Sequence, residues 1–531
     1  MSRPEMIFIK TVLTAINSKF THSSLALMYL KKYNYSADIS TCEFSINDNP
    51  YNIYQNLLKH DANVYGFSCY IWNIEVTLKV AEMIKKANPQ CTVFLGGPEA
   101  SYNYEQLLKN SYIDYVFIGE GEEKLRQFLN NIPPEEISGI ASKDFANQYN
   151  PPLDLSLIPL PYNKDDLKQL KNKIIYFETS RGCPFNCSYC LSSAMHNVRY
   201  FPMDYVKKGF DLFFENNVPL VKLIDRTFNS DKKRAVEIIK YIIENSKNTS
   251  VHFEVAPHIL DDEIIELLNS APKGMFQLEM GIQSINETTL KAINRKTNLS
   301  VIKENIGKIS PDIHIHLDLI AGLPYEDFES FKNSFNFVYS LKPDMLQLGF
   351  LKVLHGTEIA KDKNIKYCSY PPYEVISTKW LTAKEVCTLK DIDKIVDKIY
   401  NSGSFSKTLG KLNKYNPFQM FLTISEKTDI ANTTTSKSQL YRQLYEAFGD
   451  EILNELTEDF IRNNKDTKLP DFILQTKPAD FKNRCRNYLA QNNITDFKNI
   501  RIEAVNNKVY FMDYSKNQFK DLTDNHIFLL C

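Results

Sequence analysis

No run of about eighteen consecutive apolar residues occurs in this chain, so the sequence predicts no membrane-spanning helix. An excess of one charge is missing too: 63 Lys and Arg stand against 64 Asp and Glu, a formal net charge of −1. That balance offers no field to gather DNA, RNA or an acidic membrane surface. There is no cysteine framework either. Seven of the ten cysteines (Cys42, Cys69, Cys91, Cys368, Cys387, Cys485 and Cys531) are scattered, which suits a reducing cytosol and not a disulfide scaffold. Met1-Ser2-Arg3-Pro4-Glu5 lacks the apolar core and cleavage site of a signal peptide. The expected compartment is therefore the cytoplasm.

What is present is ordinary in bulk and specific in detail. The 531 residues suggest about three domains, and 43% hydrophobic with 24% charged residues is the composition of a globular protein. Over residues 1–135, short apolar runs alternate with amphipathic stretches. Strands are expected at Met6–Ile9, Val64–Ser68, Thr92–Leu95 and Tyr115–Ile118, with helices at Leu25–Lys32, Ile74–Lys86 and Glu123–Leu129. This rhythm predicts an α/β fold, a doubly wound Rossmann-like sheet with ligand loops at the strand carboxyl ends. Residues 136–171, rich in Pro, Asn and Asp, read as a linker. Residues 172–360 give six further β/α units, with strands at Ile174–Glu178, Val221–Ile224, Val251–Val255, Gln277–Gly281, His314–Ile320 and Met345–Phe350. They predict a partial (β/α)6 barrel whose chemistry sits at the strand ends. Residues 361–531 read as a mainly helical accessory domain, with helical patterns from Pro371-Pro372 through Trp380 and beyond, and late strands near Ile500–Ala504 and Lys508–Met512.

The most specific signal is Cys183-Pro184-Phe185-Asn186-Cys187-Ser188-Tyr189-Cys190. Three thiols at C-x3-C-x2-C spacing reach three irons of a cubane and leave the fourth open. Gly182 lets the backbone turn toward them. A zinc site would want a fourth Cys or His at finger-like spacing, and His196, six residues past Cys190, does not supply it. This loop, with its aromatic Tyr189 before the last Cys, resembles the radical S-adenosylmethionine (radical SAM) superfamily. The resemblance implies a [4Fe-4S] cluster held by Cys183, Cys187 and Cys190. Its open iron would chelate S-adenosylmethionine, which is then split reductively with electrons from a flavodoxin or ferredoxin. It also implies an anaerobic or low-oxygen host.

Three loops upstream, Ser68, Gly96-Gly97-Pro98-Glu99 and Gly119-Glu120-Gly121-Glu122, together resemble the cobalamin-binding domain that precedes the cluster domain in one radical SAM class. By that resemblance Ser68, Gly96, Gly97, Gly119, Glu120 and Gly121 would receive the corrin or its nucleotide tail. Singly, each loop is a plain turn. The string Asp-x-His-x-x-Gly, whose His binds cobalt in mutases, is absent; His22 lacks its flanking Asp and Gly. Its absence is usual in the cobalamin-dependent radical class.

At the barrel strand ends stand Asp225, Glu254, Glu279, Gln283, Asp318 and, twelve residues after Gln283, Arg295. The set resembles the oxygen-independent coproporphyrinogen oxidase pattern, in which Glu, Gln, Arg and Asp hold S-adenosylmethionine, although a different residue occupies the place of Glu279 there. His252, His314, His316 and His355 read as core or rim histidines. The chain as a whole resembles an uncharacterised group of cobalamin-type radical SAM proteins with an extra C-terminal domain. That resemblance implies methylation or rearrangement of an unactivated carbon. Two other enzymes remain open: a radical SAM enzyme without cobalamin, and a tRNA-modifying methylthiotransferase. The latter should carry a second cysteine trio upstream and a basic tail. A non-enzymatic iron–sulfur protein would not need the strand-end set.

Overall fold

The computed structural model describes residues 9–148, 151–194, 197–432 and 436–528. Of the strand expected at Met6–Ile9 only Ile9 falls within them; His196 and Cys531 fall outside. The first strand is instead β1 (Thr11–Asn17), followed by β2 (Ile39–Ser45). Two threonines break the apolar run of β1, and six consecutive buried residues leave it without alternation. The sheet continues with β3 (Val64–Ser68), β4 (Thr92–Gly96), β5 (Tyr115–Phe117) and the edge strand β6 (Ile140–Ala141), in the order β2-β1-β3-β4-β5-β6. All pairings are parallel except β5 with β6. Because β1 pairs with both β2 and β3, the sheet grows in two directions from β1. A crevice opens at the carboxyl ends there. Residues 136–171, read as linker, contribute β6 and the helix Lys164–Gln169.

Both faces of this sheet are covered, by helices that include Leu25–Tyr33, Pro50–Leu58, Ile74–Ala87 and Glu122–Leu129. One core gathers Val12, Tyr65, Phe67, Val93 and Leu95. The other holds Leu13, Val64, Phe94 and Phe117. Strands buried on both faces need no polar alternate positions, which is why they read as continuous apolar runs.

The second sheet starts at β7 (Ile175–Phe177). A two-stranded clasp follows, β8 (Ser180–Arg181) antiparallel to β9 (Arg199–Tyr200). Then come β10 (Leu220–Leu223), β11 (Ser250–Glu254), β12 (Phe276–Gln283), β13 (His314–Ala321) and β14 (Met345–Phe350). The order β14-β13-β12-β11-β10-β7 is an open, parallel half-barrel, the expected (β/α)6 arrangement. Here burial alternates along β12, residue by residue, because one face packs under helices and the other lines the interior.

Internal contacts divide the chain into two compact units. The first comprises residues 1–327 and 349–382, the second residues 328–348 and 383–531. The helix Phe328–Ser340 thus belongs with the C-terminal helices: the Phe335 ring lies 5.5 Å from that of Phe418 and 5.6 Å from that of Phe421. Around Pro371 the expected helical pattern is replaced by an antiparallel pair, β15 (Ile365–Tyr367) with β16 (Val375–Thr378). Val375 and Ile376 suit a strand better than a helix because of their branched Cβ atoms. The second unit adds the helices Ala383–Ile395, Pro417–Lys427, Lys437–Phe448 and Leu453–Asn463 and an antiparallel sheet of β17 (Ile500–Val505), β18 (Lys508–Asp513) and β19 (Gln518–Asp521). No helix among the described residues is long and apolar enough to cross a membrane.

Candidate functional site

The clasp closes the base of the cysteine loop: Ser180 pairs with Tyr200 and Arg181 with Arg199. Gly182, at φ +102°, is where the chain leaves it, and a Cβ there would stand 2.3 Å from the Asn197 carbonyl oxygen. No other residue fits without moving backbone. The loop is pinned on two sides, by Ser188 N donating to Ile293 O (3.1 Å) and Ile359 N to Ser188 O (3.0 Å). None of the three thiols is in a disulfide. Cys187 is 6% exposed, while Cys183 and Cys190 are more open. Cys183 Sγ lies 3.6 Å from Thr227 Oγ1. Burial pushes the Cys187 thiol up, and the neighbouring Arg295 guanidinium pulls it back.

Asp225, expected among the strand-end cofactor contacts, is instead turned onto the protein's own chain. Its two oxygens accept from Thr179 N (2.6 Å), Thr179 Oγ1 (2.5 Å) and Ser180 Oγ (3.0 Å). It braces the turn between β7 and β8, with both of its oxygens already accepting from the protein's own chain.

Gln283 and Arg295 lie beside Gly281 on β12, and Asp318 stands in register with it on β13. A bulge between Gly281 and Gln283 shifts the register of β12 against β13, with Gln283 at φ +70°. Such a bulge re-aims a side chain. Gln283 Oε1 ends buried with no hydrogen-bond partner, as does Asp318 Oδ1. Arg295 donates to Gly281 O, and its Nη1 lies 3.5 Å from Tyr189 OH and 3.7 Å from Cys187 Sγ. Glu254 stands in register with Glu279, and Gly281 with Asp318. Burial raises the Glu254 carboxyl, against the pull of Arg226.

Glu279 is the exception within this set. Lys222 Nζ lies 3.1 Å and His252 Nε2 3.0 Å from its Oε2. Burial alone would raise its carboxyl; His252 and Lys222 outweigh that and hold it at about 2. Its charge is already matched inside the barrel, so it is not an open cofactor contact. His316 sits between carboxylates, with Nδ1 3.8 Å from Glu279 and Nε2 2.9 Å from Asp318 Oδ1. The second approach is a charge contact without hydrogen-bond alignment, and both of its atoms stay unbonded. Glu279, His316 and Asp318 bring donor atoms within 4.8 Å of one another, a grouping able to hold a metal ion, but Lys222 already supplies the cation. His252 and His316, read from sequence as core or rim histidines, thus complete a polar cluster across β10 to β13.

At the carboxyl edge of the first sheet, the loops after β3 and β4 lie against each other. Cys69 N donates to Gly96 O (2.7 Å) and Glu99 N to Cys69 O (3.2 Å). Gly97 has φ +94°, and a Cβ on it would stand 2.7 Å from Cys69 O. Its glycine is therefore demanded by the protein's own backbone. Gly96 is roomier: a methyl added there would have its nearest atoms 3.9 Å away, on Phe117. Ser68 O accepts from Asn73 Nδ2 (2.9 Å), and Gly119 N donates to Ser101 Oγ (2.9 Å). Gly121 packs against Leu30, its Cβ position 3.2 Å from Cδ2. Glu120 is not available to a cofactor: Arg199 Nη2 is 2.5 Å and Arg181 Nη1 3.2 Å from its Oε1, and Leu153 N donates to its Oε2 (2.8 Å). His22 Nδ1 is engaged with Tyr176 OH at 2.9 Å.

Three groups at this edge were not among the expected cofactor contacts. Trp72, 44% exposed, stacks on Tyr70 with ring centroids 4.2 Å apart, just past β3. Tyr102 is 38% exposed after β4. Glu99, only 4% exposed, accepts from Tyr373 OH at 2.5 Å. The run Tyr70-Ile71-Trp72 at a strand end was a usable signal; nothing in sequence joins Glu99 to Tyr373. The upstream cysteines form no second trio. Cys69 and Cys91 lie in the apolar core and Cys42 Sγ is 3.3 Å from His60 Nε2.

Comparison with known proteins covers most of the chain in three segments. Residues 11–129 match the B12 binding domain, residues 177–338 the Radical SAM superfamily, and residues 361–526 a family described as protein of unknown function (DUF4080). The chain is 25% identical over 309 residues to the 2-(S-pantetheinyl)-carbapenam-3-carboxylate methyltransferase of Streptantibioticus cattleyicolor, covering 51% of this chain and 44% of that protein. It is 24% identical over 304 residues to the cobalamin-dependent radical SAM methyltransferase TokK of Streptomyces tokunonensis, with coverage of 51% and 44%. The chain spans less than half the length of these curated relatives. The solved structure of the cobalamin-dependent S-adenosylmethionine radical enzyme OxsB, with aqua-cobalamin and S-adenosylmethionine bound, shares the fold. Its TM-score is 0.63 at 14% identity over 92% of this chain and 82% of that chain. The radical SAM match implies a [4Fe-4S] cluster and S-adenosylmethionine, and the B12 match implies cobalamin.

Proposed function

We propose that this chain, which joins a B12 binding domain to a radical SAM domain, is a cobalamin-dependent radical SAM enzyme that methylates or rearranges an unactivated carbon. The observation that carries the reading is the buried Gln283 Oε1 without a hydrogen bond, on the half-barrel strand beside Arg295, which in turn reaches the cysteine loop. A buried polar atom without a partner is costly, and a ligand rich in hydroxyl and amine donors satisfies it.

Cys183, Cys187 and Cys190 hold the cluster. Asp318 and Glu254 accept from the ribose and amine of S-adenosylmethionine; Gln283 and Arg295 hold its ribose and carboxylate. Trp72 gives the corrin an apolar platform beside the Ser68, Gly96 and Gly119 loops, with Gly97 keeping those loops close. When bound, the cluster and cobalamin supply the one-electron cleavage and the carriage of a methyl group; the chain's residues orient substrate and exclude water. Glu279 and Lys222 keep the barrel interior charged but balanced. A flavodoxin or ferredoxin provides electrons, in a cytoplasm held at low oxygen.

The test is anaerobic reconstitution with iron, sulfide and cobalamin, followed by metal analysis, optical spectra and assay of 5′-deoxyadenosine. Arg295→Ala and Asp318→Ala should keep the cluster and weaken S-adenosylmethionine binding by roughly ten- to a hundred-fold, the scale of one charge-assisted contact. A folded, cluster-loaded protein that takes up no cobalamin would favour the cobalamin-free radical SAM alternative.

A further inference from the structure

The Gly119-Glu120-Gly121-Glu122 loop, expected to receive cobalamin, turns both its carboxylates toward the half-barrel. Arg181, with only 11% of its side chain exposed, reaches three carboxylates: Glu120 at 3.2 Å, Glu122 at 2.7 Å and Glu178 at 2.8 Å. Arg199, its register partner across the clasp, lies 2.5 Å from the same Glu120. Arg199 Nη1 also donates to Leu153 O at 2.7 Å, beside the Leu153 amide that donates to Glu120. Two rings complete the enclosure. The Arg181 guanidinium carbon is 5.4 Å from the ring centroid of Tyr29 and 5.8 Å from that of Phe201.

Two features separate this cluster from an ordinary ion pair. Both arginines belong to the clasp that closes the cysteine loop, and Arg181 immediately precedes Gly182 and Cys183. One side chain of the first sheet's loop therefore grips both strands from which the cysteine loop springs. The cluster is also largely out of water, where removing one partner leaves a buried charge uncompensated. Despite burial, the two arginines hold the Glu120 carboxyl below its ordinary value.

We infer that Glu120 is a positioning residue, which locks the loop after β5 to Arg181 and Arg199 and so fixes the base of the Cys183–Cys190 loop against the cobalamin-binding sheet. The inference rests on the function proposed above for its consequence, the spacing between cobalt and cluster, but not for the lock itself. Hydrogen abstraction from a substrate and methyl delivery to it would each depend on how the two cofactors are placed about that substrate, and the lock acts on this placement from outside both cofactor shells.

The lock is tested first without cofactors, in the full-length apo protein. Glu120→Gln should raise amide exchange at residues 180–183 and 197–201 while leaving β11 to β13 unchanged. The single variants Glu120→Gln and Arg199→Gln and their double should show effects on the unfolding constant that fall short of multiplying by about tenfold, within the range of coupled contacts. Fully multiplicative effects, or exchange unchanged at the clasp, overturn the inference. If Glu120→Gln does not accumulate, Glu120→Asp, one methylene shorter, carries the same measurements. In the loaded protein, pulsed electron paramagnetic resonance between reduced cluster and cob(II)alamin should show a broadened distance distribution in the Glu120 variant. Leu95→Ala, a destabilised core control, should keep the wild-type distribution. An unbroadened distribution in the Glu120 variant removes the positioning role. If wild-type protein binds no cobalamin, the proposed function fails, and the apo measurements still decide the lock.

Discussion

The two parallel sheets of the first unit bury opposite kinds of surface. In β1 and β3 nearly every residue is buried, whichever face it points to, and most are apolar. In the half-barrel, one face is as apolar as that, but the other carries Tyr176, Lys222, His252, Glu254, Glu279, His316 and Asp318. A sheet covered on both sides can meet ligands only at its loop edge, so its binding residues are few and are mostly backbone. A half-barrel meets them along its interior, so its strands must carry charge and must balance it. Lys222 lies against Glu279 and His316 against Asp318, while Gln283 Oε1 is left buried without a hydrogen bond.

The largest expected effect separates the two sheets outright. Replacing Cys183, Cys187 and Cys190 by Ala should abolish iron binding and 5′-deoxyadenosine formation, since no thiolate is left to ligate. Cobalamin uptake by the first sheet should survive. A triple variant that retains a [4Fe-4S] spectrum contradicts the assignment. The reverse cut is Leu95→Ala, in the core of the first sheet. It should cost about 2–5 kcal/mol of stability at any pH between 5 and 8, read from denaturant unfolding.

How legible each sheet was follows from the same contrast. All six half-barrel strands were readable within a residue or two, because they are short apolar runs set off by Gly, Pro and polar residues. The cysteine loop was readable from spacing alone. In the first sheet, β1, β2 and β6 escaped: β1 shows no alternation, β2 interleaves Thr41, Cys42 and Glu43, and β6 is two residues long. Among site residues, Glu120, Asp225 and Glu279 have the type and position of ligand contacts, and only the fold reveals that Arg199, Thr179 and Lys222 occupy them. These partners lie 79, 46 and 57 residues away, beyond what any local pattern can report. Gln283 and Asp318 were legible as residues, but their missing hydrogen bonds were not.

A smaller effect tests whether interior charge is balanced as the geometry suggests. Glu279, ordinarily at 4.5, is held at about 2 in the folded chain. A depressed carboxyl contributes stability that is fully present above its unfolded value and is lost as pH falls through the folded one. The window is therefore pH 4.5 down to about 2, and the contribution is at most roughly 3 kcal/mol. Lys222→Met removes the lysine partner of Glu279. The variant should be less stable than wild type at pH 6, and the gap should narrow toward pH 3. A gap independent of pH would mean Lys222 acts through packing, as residues of the first sheet do. Leu95→Ala, carrying no titrating group, provides the flat control.

The smallest expected effect falls on the first sheet's ligand edge, where two adjacent glycines differ in what they serve. Gly97 has a left-handed backbone and no room for a Cβ beside Cys69 O, so Gly97→Ala should cost about 1–3 kcal/mol whether or not cobalamin is present. Gly96 has ordinary backbone, and its nearest neighbours are 3.9 Å away. Gly96→Ala should therefore change stability by no more than about 0.5 kcal/mol. If the β4 edge lines the cofactor groove, the added methyl should still lower cobalamin affinity several-fold, measured by equilibrium dialysis of the apo protein. Stability and affinity would then separate at neighbouring positions: one glycine shapes the loop and the other leaves space for the ligand. Equal cobalamin affinity in Gly96→Ala and wild type would move the groove away from β4, toward Trp72 and the β1 end of the crevice.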